Sequence, residues 1–345
     1  RRRAWLTREV IPPLAPTFEA ALRDVRAELV RFREAAAARL ADPPEDRIDE
    51  AVAGLTTLAD DANGAVRAVA LESLGELGVA SAKRATLDAF EDEYPPARQA
   101  AILAYGRIDP GGADSVIAPL LDDPRPDVRF SAVWTLSHLG EAHAPIIVSA
   151  LRDEDPEVRL LGAQCLADLD ARSHTDAVAE LLNDSEEPVR FGAAVALASL
   201  GDERGASALR SSLTHATRGF SAAVGLGDLK DRESHQALLR LARHPLRSPI
   251  LRAAAARGLV KLGDVRGADI IGKLVRSWRI EARQYAVELV GDLQLTDFAR
   301  DLAEGYRKSS DSERPVYETA LEQLADESAE ARTLLASIRK ADHAG

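Results

Sequence analysis

The chain has 345 residues, with 44 Lys+Arg against 56 Asp+Glu and a formal net charge of −12. That length exceeds what one globular core usually serves, so it points to several domains or to an elongated array. With 46% hydrophobic and 29% charged residues the chain is neither disordered nor membrane-spanning, and its acidic balance argues against a general nucleic-acid binder.

The chain opens Arg1-Arg2-Arg3 and contains no Met, which reads as a processed or trimmed end. Residues 17–41 predict one amphipathic helix with Phe18, Leu22, Val25, Leu29 and Phe32 on one side, stopped by Asp42-Pro43-Pro44. Residues 1–47 are therefore expected to be an N-terminal extension whose helix caps whatever stacks behind it. A docking helix for a partner is its second reading.

From residue 48 to 325 one phrase returns. Val66-Arg67, Ala97-Arg98, Val128-Arg129, Val158-Arg159, Val189-Arg190, Leu251-Arg252 and Ala282-Arg283 share a register, and the anchors 67, 98, 129, 159 and 190 lie 31, 31, 30 and 31 residues apart. Degenerate copies place Gly219 and Pro315 at the anchor. Three residues after each anchor stand Ala70, Ala101, Ala132, Gly162, Ala193, Ala222, Ala255 and Ala286. Seven after come Leu74, Tyr105, Leu136, Leu166, Leu197, Leu226, Leu259 and Val290, and ten after come Leu77, Ile108, Leu139, Leu169, Leu200, Leu229, Leu262 and Leu293. Steps of 3, 4 and 3 put these on one helical face, with the small residues admitting a close neighbour.

The punctuation agrees. Asp155-Pro156 is a cap followed by a first-turn proline, with Asp123-Pro124 and Glu187-Pro188 as looser versions. Gly78, Gly140, Gly201 and Gly263 fall where a left-handed residue closes a helix, and Asp202, Asp231 and Asp264 follow as caps for a second helix. That second helix carries Ala177-Val178 and Leu181-Leu182 in one copy, Ile270-Ile271 and Leu274-Val275 in another. Each repeat is thus a helix hairpin that must stack on its neighbours to bury its apolar face. Residues 326–345 read as a last helix and a frayed polar tail.

The unit D-P-x-V-R-x-x-A-x-x-A-L-x-x-L-G-D followed by A-x-x-x-L-x-x-x-L resembles the HEAT repeat, in the short bacterial form also found in phycobilin lyases. Asp155 to Leu169 and Asp184 to Asp202 match it best. The resemblance implies an all-α fold, a right-handed α-solenoid (an armadillo-like superhelix) of about nine HEAT-like hairpins. It also implies that second helices line the concave face, and that the protein is a binding scaffold more often than an enzyme.

Catalytic chemistry is not legible. The seven histidines are His138, His143, His174, His215, His235, His244 and His343; none precedes a Glu, so the paired His-Glu of a di-iron HEAT hydroxylase is missing. No phosphate-cradling loop, His-Glu-x-x-His or Gly-x-Ser-x-Gly is present, and no cofactor or metal is expected. His174 and His235 begin second helices and read as surface or capping residues. Cys165, the one cysteine, sits six residues after its anchor in a slot that holds Ser, Ala, Thr or Gly elsewhere, so it reads as a packed, inert thiol. A single cysteine and no apolar run of about 18 residues fit a bacterial cytoplasmic protein. The anchors Arg67, Arg129, Arg159, Arg190 and Arg252 are expected to form a ladder of bonds to caps and carboxylates of adjacent repeats.

Charge is distributed unevenly. Residues 1–40 carry nine basic and five acidic side chains, 41–203 twelve and 32, 204–283 sixteen and six, and 284–345 seven and thirteen. The basic band 204–283 offers Arg240 and Arg243 on one second helix, Arg247 in the next loop, then Lys273, Arg276, Trp278 and Arg279 on the following copy. Arginines with an intervening indole suit an anionic partner through ion pairing and cation–π contact. The expected function is a non-enzymatic scaffold binding a protein or peptide on the concave face, with these residues meeting an acidic partner. Nucleic-acid binding, including a HEAT-like DNA glycosylase, is the first alternative. A phycobilin-lyase-like enzyme is the next.

Overall fold

The computed structural model describes residues 16–342, so Arg1-Arg2-Arg3, His343 and the end of the polar tail lie outside it. The described residues form helices and turns, with no strand among them. They fall into two compact units, one ending at Leu169 and the other beginning at Asp170.

The first unit contains α1 (Phe18–Asp24), α2 (Val30–Leu40), α3 (Ile48–Leu58), α4 (Gly64–Leu77), α5 (Lys83–Asp88), α6 (Pro95–Ile108), α7 (Ala113–Val116), α8 (Pro126–His138), α9 (Ala144–Ile147) and α10 (Pro156–Asp168). The long even-numbered helices α2 to α10 pack in sequence, each on the next. Second helices here are brief, and 3₁₀ turns, one of them carrying Pro119, complete the span; Pro145 sits in the first turn of α9, where proline is tolerated. The second unit contains α11 (Thr175–Glu180), α12 (Glu187–Ser199), α13 (Ala206–Ser212), α14 (Gly219–Asp228), α15 (His235–Arg243), α16 (Pro249–Lys261), α17 (Val265–Val275), α18 (Ile280–Asp292), α19 (Ala299–Lys308), α20 (Arg314–Ala325) and α21 (Ala329–Asp342). Here α12, α14, α16, α18 and α20 stack in order, and α15, α17 and α19 are full second helices.

The small column and the Leu column seven residues after each anchor are buried in every copy. Each buried Leu contributes about 1.5–3 kcal/mol relative to an exposed one. The column ten after the anchor is only half-covered, except Leu200, because it lies on the last turn where the next element has already diverged. Gly78, Gly140, Gly201 and Gly263 all take positive φ. Three of the copies that lack glycine there keep the conformation, with Asp170, Lys230 and Gln294 at φ of 50°, 52° and 53°, whereas Asp109 in the Arg98 copy leaves it at φ −137°.

Two local readings are corrected. The single helix over 17–41 is broken into α1 and α2, leaving Leu29 and Phe32 exposed rather than on a shared buried face. At the break a local contact takes the place of helical bonds: Arg33 donates to the carbonyls of Ala27 and Glu28 at 2.7 and 3.0 Å. The second correction concerns the caps. Asp155 does accept from the Glu157 N–H, but α8 starts two residues later than Asp123-Pro124 implies, and α12 starts at Glu187 itself. Asp123 instead turns the chain, accepting from the Arg125 N–H at 2.8 Å.

The arginine ladder exists and is more specific than expected. The Nη1 of Arg67, Arg98, Arg129, Arg159 and Arg190 each donates to the carbonyl of the residue six positions earlier, at 2.6–2.8 Å. That residue is an aspartate every time: Asp61, Asp92, Asp123, Asp153 and Asp184. In the first unit the side chains of these aspartates are the ladder's rungs. Arg33 forks onto Asp61, Arg67 onto Asp92 and Arg129 onto Asp153, each through Nε and Nη2. Arg98 is diverted to Asp127 because Arg125 already occupies Asp123. Arg252 departs from the pattern and donates to the Ala242 carbonyl.

Burial alone would raise the Asp61 and Asp92 carboxyls, but the bonded Arg33 and Arg67 and the turn N–H groups outweigh it and hold both below the usual range. Bonds from Arg125 do the same for Asp123. A carboxyl depressed in the folded state stabilises fully above its unfolded value of about 4, and that stability is lost as pH falls through the folded value. Urea midpoints should therefore hold from about pH 7 to 5 and decline below about pH 4. A midpoint unchanged at about pH 3 would remove the ladder from the stability of the fold.

One more column was not anticipated. Fifteen residues after the anchor, where the second helix starts against the first, six copies hold Ala82, Ala113, Ala144, Gly205, Ser234 and Gly267, all buried, while His174 and Phe298 take the place in two others and are half-covered. A Cβ on Gly205 would lie 2.7 Å from the Ala194 carbonyl oxygen, and on Gly267 2.5 Å from that of Ala256. Backbone meets backbone at this place.

Candidate functional site

The aspartate column that closes the ladder stops inside the second unit. At the same place, six residues before the anchor, the later copies carry Leu213, Leu246 and Ser277. With those rungs gone, the stretch 204–283 has many cations and few local carboxylates. Eight of its sixteen cations still reach an acid: Arg204, Arg210, Arg218, Arg257, Lys261, Arg266, Arg276 and Arg283.

The residues expected to form the site separate accordingly. Arg240 and Arg243 lie on α15 and Lys273 on α17, which packs against α15; all three are exposed, and none has a carboxylate within 4.0 Å among the described residues. Arg276, just past α17, is tied to Asp301 at 2.5 Å, so its charge already has a partner, and the bonded carboxylate raises its pKa. Arg247, half-buried in the loop before α16, donates to the Thr214 carbonyl at 3.3 Å. Arg279 stacks its guanidinium 5.2 Å from the Trp278 ring centre and, among the described residues, has no acidic partner.

Trp278 is 82% exposed and lines three neighbouring grooves. One, of about 560 Å³, runs between Leu246 and Trp278 over Pro249 and Leu274, with Arg247, Arg252 and Arg279 around it. Another, of about 410 Å³, lies against Ile250 and Ile280 and contains Glu281. A third groove beyond Arg276 is edged by Asp301 and Glu304 and is of mixed charge. The structure thus joins Arg247, Trp278 and Arg279 at one loop edge and leaves Arg240, Arg243 and Lys273 on the neighbouring helices.

Sequence reasoning missed Leu246 and Ile280, which are 89% and 53% exposed. A signal for Leu246 was present, since it stands where five other copies have aspartate.

Among the described residues, no group of three or more His, Cys, Asp or Glu is placed to hold a metal. Cys165 is buried and burial pushes its thiol up, away from the reactive thiolate. His235 instead contacts Asp264 at 2.8 Å, next to Arg266, whose hydrogen bonds hold that carboxyl far below the usual range. No helix among the described residues is long and apolar enough to cross a membrane.

Comparison with known proteins agrees with this architecture. The family model described as HEAT repeats matches residues 144–220. The chain is similar in structure to a chain of the complex of CpcE and CpcF of phycocyanin lyase from Nostoc sp., at 20% identity over 64% of this chain and 91% of that one, TM-score 0.52. It is equally similar to YibA of E. coli, at 20% identity over 69% and 91%, TM-score 0.52. Yeast importin-beta matches at 12% identity over 89% of this chain and 52% of its own, TM-score 0.50. At these identities the likeness is one of fold. No curated protein matches the chain in sequence.

Proposed function

We propose that this chain, whose residues 144–220 match the HEAT-repeat family model, acts as a non-enzymatic scaffold that binds a protein or peptide carrying an acidic segment. The observation that carries the reading is the set of exposed cations on adjacent second helices, Arg240, Arg243 and Lys273, that no described carboxylate answers. A solvated basic face would normally be interleaved with acids, as the rest of this chain is. Here the acids are withdrawn from a run of 80 residues while the fold around them is kept. An acidic partner supplies what the second unit lacks, and long-range attraction speeds its encounter.

A cytoplasmic setting belongs to this reading, in keeping with one buried thiol. Lyase or glycosylase chemistry finds no residue set here that favours it over binding.

The test is charge reversal at positions that hold nothing together. The triple variant Arg240→Glu, Arg243→Glu, Lys273→Glu should fold with the wild-type melting profile. It should bind a labelled Glu/Asp-rich peptide at least about tenfold more weakly at low salt, the wild-type affinity itself falling as salt rises. Equal binding by the folded triple variant ends the proposal.

A further inference from the structure

We propose that the groove between Leu246 and Trp278 is an anchor site for one bulky apolar side chain of an acidic peptide, whose flanking carboxylates meet Arg247, Arg252 and Arg279. The inference rests on the scaffold reading above and deepens it by naming the form of the ligand.

The first argument comes from position. In five copies the residue six before the anchor is an aspartate whose carbonyl takes a bond from the anchor arginine. In those copies the loop edge is closed onto the protein's own ion pairs. In the copy anchored by Arg252 that residue is Leu246, its side chain stands in solvent, and Arg252 turns away to the Ala242 carbonyl. The next copy has Ser277 in the same place, followed by Trp278. In the Arg252 copy the scaffold thus replaces an internally satisfied edge by an open apolar residue; in the next copy Arg283 still bonds the Ser277 carbonyl at 2.7 Å, and the exposed apolar group is Trp278, one residue further on.

The second argument is energetic. An isolated exposed Leu needs no explanation, but Leu246 and Trp278 line one groove, and Ile280 lines a neighbouring one with the same indole. Trp and Arg are the residues that most often dominate binding energy, especially where a ring can be covered from both sides. Arg279, stacked on Trp278, restrains the ring before any ligand arrives and so lowers the cost of ordering it.

The third argument selects the ligand's charge. No carboxylate lines the Leu246–Trp278 groove, whereas Glu281 lines the second groove and Asp301 and Glu304 the third. Among the three, only the first presents arginines beside Leu246, Pro249 and Trp278 without an acid to oppose an anionic ligand. Its volume of about 560 Å³ is ample for a Leu or Phe side chain.

The experiment uses the whole chain and two fluorescein-labelled peptides, Gly-Glu-Asp-Leu-Glu-Asp-Gly and the same peptide with Ser in place of Leu, followed by anisotropy. The Leu peptide should bind about tenfold more tightly than the Ser peptide, as burial of one Leu side chain gives. Trp278→Ala should erase that ratio while leaving the Ser peptide's affinity within about twofold. Arg247→Glu with Arg279→Glu should weaken both peptides.

Because Trp278 is exposed, its truncation is not expected to change the melting profile, which is checked alongside. Equal affinities for the two peptides overturn the anchor and leave the scaffold reading standing. Binding of neither peptide overturns both. Concentration-dependent self-association that Trp278→Ala abolishes assigns the surface to a second copy and overturns the peptide. A random single-stranded oligonucleotide that binds more tightly than the Leu peptide overturns it in favour of nucleic acid.

Discussion

Arg129→Leu should destabilise the first unit by about 3–5 kcal/mol, the range for removing one partner of a buried ion pair. Arg129 is 5% exposed, and its guanidinium is fully engaged. It donates to both oxygens of Asp153 at 2.8 and 2.7 Å and to the Asp123 carbonyl at 2.8 Å. Without it the Asp153 carboxylate stays in place, mostly covered, with the Asp155 N–H as its remaining bonded donor. The cost comes mainly from that stranded charge rather than from the lost attraction. The double variant Arg129→Leu, Asp153→Leu should therefore recover part of the loss, which a urea titration of the three proteins measures. A double variant no better than the single one would show that the pair acts through packing alone. Because stability in a repeat stack is carried by neighbour-to-neighbour coupling, the single variant should also broaden the unfolding transition.

Gly267→Val is expected to cost about 3 kcal/mol in the second unit, at the upper end of overpacking effects. The first atom added, the Cβ, would sit 2.5 Å from the Ala256 carbonyl oxygen, 2.8 Å from Val260 Cγ2 and 2.9 Å from the Val260 nitrogen. The oxygen and the nitrogen are backbone atoms of α16, so rotating the Val260 side chain does not relieve the clash. The two helices must separate, and Ile270, Ile271 and Leu274 lose contact with the core together. Gly263→Ala is the informative control. Nothing lies within 4 Å of a Cβ there, so its penalty comes only from the φ of 81° and should stay near 1 kcal/mol. If thermal melting shows the two variants equally stable, close approach of α16 and α17 is not what excludes a side chain at 267.

What could be read from the amino acids alone follows from what repeats. Columns at three and seven residues after the anchor recur at a period of about 31 and obey one requirement in every copy, so the helix hairpins and their buried faces were legible. The division of 17–41 into two helices was not, since no Gly or Pro marks it and the Arg33 contacts at the break show only in the fold. Yet Phe32-Arg33, with Ala36 and Leu40 buried at the usual offsets, carried the anchor pattern in an irregular spacing. For the candidate site, the basic band was a matter of counting. Which cations remain available was not, because Arg276 finds Asp301 across 25 residues only when α17 and α19 are brought together. Leu246 and Ile280 escaped notice for a related reason: an apolar residue near a helix end is normally covered, and only the folded loop edge shows that these are not.

The aspartates Asp61, Asp92, Asp123 and Asp153 also have a consequence for how such a chain changes length. Each accepts a bond from the N–H two residues on, which shapes the entry to its own helix, while its carbonyl and, in most copies, its carboxylate serve arginines of two different repeats. At Asp61, Asp92 and Asp153 the joint is the same, whereas at Asp123 Arg125 holds the carboxylate and Arg98 goes to Asp127. A stretch cut between two of the equivalent aspartates could be duplicated or excised, and the arginines on either side would meet the same kind of joint. Beyond Asp184 that interchangeability ends, because Leu213, Leu246 and Ser277 no longer offer the carboxylate half of it. The first unit is the part of this protein that can be lengthened or shortened by whole modules, and the second is the part whose repeats have become individual.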